Sequence, residues 1–102
     1  MASSGPEAKI VAAVVRMLEK RGALVVNIHG SVYSRAGTPD LVGVLPGGVA
    51  FCLEVKTPDG VASKLQERAI RRWSERGARA AVVRSVEDAE RVCFGDERLE
   101  ES

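Results

Sequence analysis

The first stretch of the chain arranges its apolar residues with a helical period. Between Ile10 and Leu18 they recur three and four positions apart, as on one buried face of an α-helix. Ser3 or Ser4 stands where a helix N-cap is expected. We therefore predict a helix over residues 6–21 whose apolar face packs inward.

Short runs of branched and apolar residues follow and predict β-strands over residues 24–28, 41–45 and 49–55. The last two runs flank Pro46-Gly47-Gly48, whose glycines can adopt the left-handed conformation of a tight turn. These two strands are therefore predicted to form a β-hairpin. Residues 29–39 are rich in glycine and serine, which favours a loop.

A second helical pattern begins after the hairpin. Ser63 and Gln66 match a capping box, and Gly77 follows the last turn, so we predict a helix over residues 64–76. Its apolar residues share one face, which we expect to pack inward with Trp73 in the core. That face comprises Ala62, Leu65, Ala69, Ile70 and Trp73.

The remaining pattern completes an α/β fold. Residues 79–84 predict a fourth strand, and Ser85 is placed to cap a short helix over residues 86–92. The order αβββαβ, with the second helix as a crossover, predicts a mixed four-stranded sheet flanked by helices. We expect one domain over residues 1–93 and an acidic tail over residues 94–102.

Composition adds limits to this picture. The formal net charge is +1, but the tail holds four acidic residues and one basic residue, which leaves 14 basic and 10 acidic residues in the predicted domain. Apolar runs are too short to cross a membrane. Cys52 and Cys93 follow no secretory signal, so we expect a soluble, intracellular protein in which both are small buried hydrophobes.

The hairpin predicts a cluster of charged side chains. If Leu45 pairs with Val49 across the turn, the antiparallel register places Asp40 opposite Glu54. Because side chains alternate along a strand, Lys56 projects on the same side as Glu54. Two carboxylates and an ammonium group are thereby predicted to meet at one end of the hairpin.

Opposed carboxylates repel each other unless a cation or a shared proton compensates. Oxygen ligation by Asp40, Glu54 and the Val55 carbonyl suits Mg²⁺, with Mn²⁺ as a substitute, better than Zn²⁺. Such a site favours hydrolysis of phosphodiester bonds. In this hypothesis Lys56 neutralises developing charge and orients the attacking water.

These residues resemble a known pattern. Gly37-Thr38-Pro39-Asp40, then Glu54-Val55-Lys56, then Gln66 opening a helix, is similar to the PD-(D/E)XK nuclease superfamily with its restriction-endonuclease-like core. Within it, the chain resembles the VRR-NUC family in its minimal stand-alone form, which also has a glutamate early in the first helix. The resemblance covers residues 7–86.

The resemblance implies a metal-dependent DNA endonuclease. It implies a homodimer that acts on branched DNA such as four-way (Holliday-like) junctions. It also implies roles for particular residues. These are metal ligation by Asp40, Glu54 and the Val55 carbonyl, catalysis by Lys56, and support from Glu7 and Gln66.

Each candidate also has a structural interpretation. Glu54 and Lys56 could form a surface ion pair, and Gln66 could serve only the capping box. Glu7 could merely complement the helix dipole, although it lies on the apolar face. His29 fits a loop residue and receives no catalytic role.

DNA contacts are predicted in two places. Tyr33, Ser34 and Arg35 lie in the loop that leads to Asp40. Lys64 and Arg68 begin a basic strip on the polar side of the second helix, although interleaved acids also fit a solvated face. Two alternatives stay open at this stage: a nuclease subunit of a larger repair, restriction or packaging assembly, and a non-catalytic α/β binding module.

Overall fold

The structure, a computed structural model, describes residues 5–28 and 37–95. The helices and strands follow one another in the predicted order. No predicted boundary differs by more than two residues from the one observed. The elements are α1 (Pro6–Lys20), β1 (Leu24–Asn27), β2 (Leu41–Val44), β3 (Ala50–Val55), α2 (Lys64–Glu75), β4 (Arg79–Val83) and α3 (Val86–Phe94).

The sheet is mixed and four-stranded, in the order β1-β2-β3-β4. β2 is antiparallel to β1 and β3, while β4 is parallel to β3, so α2 is the crossover between two neighbouring parallel strands. Leu41 pairs with Leu53, and Val44 pairs with Ala50, which is the predicted hairpin register. The predicted α/β fold is therefore confirmed.

The hairpin turn fixes that register. The Leu45 N–H donates to the Val49 carbonyl at 2.8 Å, and the Gly48 N–H donates to the Leu45 carbonyl at 2.9 Å. Gly47 and Gly48 have φ angles of 96° and 98°, which other residues adopt only at a cost. The glycines therefore set which residues of β2 and β3 face each other.

One face of the sheet carries the hydrophobic core. α1 and α3 pack against each other and against this face. A Cβ on Gly43 would lie 2.8 Å from the Phe51 ring, so the missing side chain makes room for that ring. The fully buried side chains include Val14, Leu18, Leu41, Phe51, Leu53, Val55 and Val83.

α2 lies on the opposite face and covers only part of it. It packs mainly against β3 and β4, and none of its residues is buried. Leu65 is 53% exposed, and Trp73 is half-buried. Contrary to the prediction, Trp73 therefore does not lie in the core and Leu65 does not face inward, whereas Ala69 and Ile70 of the predicted face are partly buried. Because α2 rests on two of the four strands, its flanks stay open to solvent.

Two predictions at the chain ends also need revision. The N-cap of α1 is Gly5, with no side-chain hydrogen bond, and not Ser3 or Ser4. Pro6 accounts for this start, because proline favours the first helical position. α3 continues to Phe94, and the acidic tail from residue 96 onward lies outside the described residues.

Within the two described ranges, every helix is too short or too polar to cross a membrane.

Candidate active site

The two predicted carboxylates meet at the end of the hairpin. Asp40 and Glu54 are only 8% and 2% exposed, and they are the buried charged side chains of the described chain. The Asp40 N–H donates to the Leu53 carbonyl at 3.1 Å, just beyond the last β2–β3 pair, which joins Leu41 to Leu53. The Asp40 Oδ2 accepts a 2.8 Å hydrogen bond from the Val55 N–H. The Asp40 side chain is therefore held against β3.

Glu54 has one oxygen engaged and one oxygen without a partner. Its Oε2 accepts a 2.7 Å hydrogen bond from Gln66 Nε2 and lies 3.8 Å from Lys56 Nζ. Its Oε1 is buried and has no hydrogen-bond partner in the described part of the chain. Leaving a buried polar atom unsatisfied costs about 1–3 kcal/mol, and more for a charged group. Glu54 Oε1 is therefore an oxygen to which a cation could bind.

The electrostatics of Glu54 fit a crowded acidic site. Burial and then the negative charge of Asp40 raise the pKa of Glu54 from 4.5 to about 7. Lys56 opposes this rise, whereas a hydrogen bond with the Asp40 side chain and, less strongly, the charge of Glu7 add to it. The fold therefore brings Glu7, from the first turn of α1, close enough to influence a carboxylate on β3.

Gln66 serves two structural contacts at once. Its backbone N–H donates to Ser63 Oγ at 3.1 Å, and its Oε1 accepts from the Ser63 N–H at 2.8 Å. This capping box fixes the side-chain amide, so that Nε2 points at Glu54. The predicted capping role is confirmed, and it also explains how the amide reaches the carboxylate.

Comparison with known proteins gives the chain a family. The sequence profile of the VRR-NUC domain matches residues 25–87, which is more than half of the 102 residues and includes Asp40, Glu54, Lys56 and Gln66. The chain belongs to the VRR-NUC family. It is thus a nuclease-type domain, and Glu7 lies outside the matched residues.

A solved structure described as a VRR-NUC domain has the same fold. It superposes with a TM-score of 0.69 at 29% sequence identity, and the match covers 87% of this chain and 95% of that chain. A comparison with curated proteins gives no match.

The turn after β3 holds Lys56 in this VRR-NUC domain. The Lys56 N–H donates to the Val83 carbonyl at 3.0 Å. Arg84 Nη1 donates to the carbonyls of Thr57 and Gly60, at 2.8 and 2.6 Å, and so clamps the turn that follows the lysine. The sequence alone does not indicate this role of Arg84, because only the parallel pairing of β3 with β4 brings the end of β4 beside this turn.

The two cysteines, Cys52 on β3 and Cys93 on α3, are not suited to act as nucleophiles. Burial and the nearby Glu54 charge raise the pKa of Cys52 to about 12, and burial raises the pKa of Cys93 to about 11. Both are free and buried, as predicted. A thiol that stays protonated is a poor nucleophile.

The predicted DNA contacts divide into two groups. Tyr33, Ser34 and Arg35, together with His29, lie outside the described residues. Lys64 and Arg68 are exposed on α2, and neither forms an ion pair with another described residue. These two cations of the VRR-NUC domain face solvent on the helix that also carries Gln66.

Proposed function

We propose that this VRR-NUC domain is a metal-dependent endonuclease that hydrolyses phosphodiester bonds of DNA. The observation that supports this most strongly is the buried pair of Asp40 and Glu54, with Glu54 Oε1 left without a hydrogen-bond partner. A structural ion pair would satisfy that oxygen, whereas a ligand site leaves it for the ligand.

The donor set fits a hard divalent cation. Residues 5–28 and 37–95 contain no group of three or more His, Cys, Asp or Glu side chains that could hold a metal. The third protein ligand is therefore proposed to be the Val55 carbonyl, from the residue whose N–H binds Asp40. Oxygen atoms alone suit Mg²⁺, with Mn²⁺ as a substitute.

Side chains of the domain neutralise charge around the scissile phosphate and position the groups that act on it. When bound, the divalent ion polarises the phosphoryl oxygen and lowers the pKa of water. The Lys56 ammonium neutralises the negative charge that develops on the phosphate and orients the attacking water. The Gln66 amide fixes the Glu54 carboxylate. Glu7 adds negative charge that strengthens attraction for the cation.

We further propose that the substrate is branched DNA and that two copies act together. One set of Asp40, Glu54 and Lys56 cuts one DNA strand. Two cuts at a junction therefore need two copies of the domain, as in a homodimer. Leu24 and Val26 of the edge strand β1 are 68% and 48% exposed, which gives a second copy apolar surface to cover. Lys64 and Arg68 offer contacts to the phosphate backbone that carry no sequence preference.

The decisive assay compares supercoiled, linear and four-way-junction DNA with Mg²⁺ and with chelator. We expect Mg²⁺-dependent cleavage, fastest on the junction, and a loss of about 100-fold or more in Lys56→Ala. Lys20→Ala, which removes an exposed lysine of α1, is the matched control and should cleave like wild type. Identical DNA from wild type and a folded Lys56→Ala protein in every lane contradicts the proposal. It would leave a non-catalytic binding module as the better hypothesis.

A further inference from the structure

A groove lies at the opposite end of β3 from the carboxylates. It has a volume of about 710 Å³, and Trp73, Arg72 and Arg76 form part of its wall. Ala50, the first residue of β3, also lines it, whereas Glu54 stands near the end of that strand. At about 3.3 Å per residue, the groove lies on the order of 13 Å from the carboxylates along the strand. It is therefore separate from the proposed metal site.

The shape of the groove follows from small residues around one large ring. Gly48, Ala50, Ala69, Gly77 and Ala78 line it together with Trp73. Their side chains cannot fill the space beside the half-buried indole. An aromatic wall next to open space suits a planar ligand that can stack on the ring.

Two guanidinium groups give the groove a positive charge. Arg72 and Arg76 are exposed, and Arg76 Nη1 donates to the Arg72 carbonyl at 3.0 Å. Neither arginine forms an ion pair with another described residue. Arginine binds phosphate oxygens well because its planar fork presents several N–H donors. A nucleotide combines a planar base with a phosphate and therefore fits both features of the groove.

Basic residues run along the exposed side of α2, whose partly buried side carries both Gln66 and Trp73. They are Lys64, Arg68, Arg72 and, at the C-cap, Arg76, and they follow one another at intervals of four. From Gln66 to Trp73 the helix rises about 10 Å, at 1.5 Å per residue. That rise corresponds to about three nucleotides of a stacked strand, at about 3.4 Å for each nucleotide as in duplex DNA.

We propose that the groove binds an unpaired nucleotide of the DNA substrate, with the base stacked on Trp73 and its phosphate held by Arg72 and Arg76. The inference rests on the proposed function, since it takes DNA as the ligand. The nucleotide lies about three positions from the phosphate that is cut. The domain should therefore cut branched DNA that has a single-stranded segment beside the cleavage site faster than a fully paired junction.

Trp73 is the only tryptophan, so its fluorescence reports directly on this groove. Oligo-dT is titrated into the full chain in chelator buffer, where no cleavage occurs, and a blunt duplex of equal length is titrated in parallel. We expect saturable quenching by oligo-dT and little by the duplex. Arg72→Gln should weaken oligo-dT binding about 5- to 10-fold, whereas Arg16→Gln, on exposed α1 surface, should bind like wild type.

Trp73→Leu removes the stacking ring and is followed by the anisotropy of labelled oligo-dT. We expect binding roughly 5- to 150-fold weaker, the range for loss of one base–aromatic stack. If this variant unfolds, Arg72→Gln decides the question. Absence of quenching, or equal binding by Arg72→Gln and Arg16→Gln, overturns the proposal. Fluorescence that changes with protein concentration and not with DNA also overturns it, because a second copy then covers the groove.

The outcome separates this inference from the nuclease proposal. Quenching without any cleavage in Mg²⁺ supports the nucleotide groove and rejects the nuclease. Cleavage without quenching supports the nuclease and rejects the groove.

Discussion

The two faces of the sheet differ in what they bury. On the face under α1 and α3, Phe51, Leu53 and Val55 are fully buried in a continuous apolar core. On the face under α2, the neighbouring residues of β3 are Cys52 and Glu54, and α2 contributes no buried residue. The first face stabilises the fold, while the second holds a charged cluster at a cost in stability. Truncation of a core residue should therefore lower the free energy of unfolding, whereas removal of the Glu54 charge should raise it at high pH.

The largest expected effect is on the apolar face. Phe51→Ala should lower the free energy of unfolding by about 3–5 kcal/mol, because it removes a fully buried ring and leaves a cavity beside Gly43. Urea unfolding followed by circular dichroism measures this. Leu65→Ala, at a largely exposed position on the other face, is the control and should cost less than about 1 kcal/mol. If Phe51→Ala and Leu65→Ala lower the free energy of unfolding equally, the two faces do not differ in what they contribute to stability.

Glu54 should destabilise the metal-free protein at high pH. Its folded-state pKa of about 7 lies above the ordinary 4.5, so the folded state holds a proton that the unfolded chain releases. The stability that this proton gives is complete below about pH 4.5 and is lost as the pH rises through about 7. The loss approaches about 3 kcal/mol, because each tenfold difference in proton affinity between the folded and unfolded states corresponds to about 1.4 kcal/mol.

Urea unfolding in chelator at pH 5 and pH 8 tests this, with Glu54→Gln as the comparison. The variant should lose this fall in stability, and exposed Glu67→Gln should keep it. A fall of the same size in wild type and Glu54→Gln would assign the pH dependence to another group.

Gln66→Ala should affect activity more than stability. Loss of the amide frees the Glu54 carboxylate and removes half of a capping box, so we expect cleavage about 10-fold slower and a stability loss of about 1 kcal/mol. Gln66→Glu offers a sharper comparison, since it keeps a capping oxygen and places a like charge beside Glu54. If both variants cleave DNA as fast as wild type, Gln66 serves only to cap α2.

Arg84→Ala should give the smallest of these effects. It removes two hydrogen bonds to the turn after Lys56, so the lysine is held less firmly. We expect a several-fold fall in kcat with little change in KM, because Arg84 acts through the position of Lys56 and not through substrate binding. Arg79→Ala, at the start of β4, is the control for a general disturbance of that strand. A rise in KM alone would contradict this positioning role.

Local rules explain what could be predicted from the sequence. The turn glycines and the period of two were enough to place Asp40 beside Glu54, and the spacing of Ser63 and Gln66 was enough to start α2. These contacts depend on residues close along the chain or on one hairpin.

Other features depend on how elements pack. Helical periodicity grouped Leu65 with Trp73 but could not tell how much of the sheet α2 covers, so both were wrongly placed inside. Arg84 reaches the turn after Lys56 only through the crossover to β4. The unpartnered Glu54 Oε1 likewise depends on side-chain geometry, which the sequence does not contain.

Titration calorimetry with Mn²⁺ tests most directly whether the buried carboxylate pair is a cation site. Wild type, Asp40→Asn and Glu54→Gln are compared at pH 8, each after circular dichroism has verified its fold. We expect saturable binding by wild type, and a Kd raised by about tenfold or more in both variants, because each loses one anionic ligand. Binding of equal strength by all three folded proteins would contradict the assignment, and with it the metal-dependent nuclease.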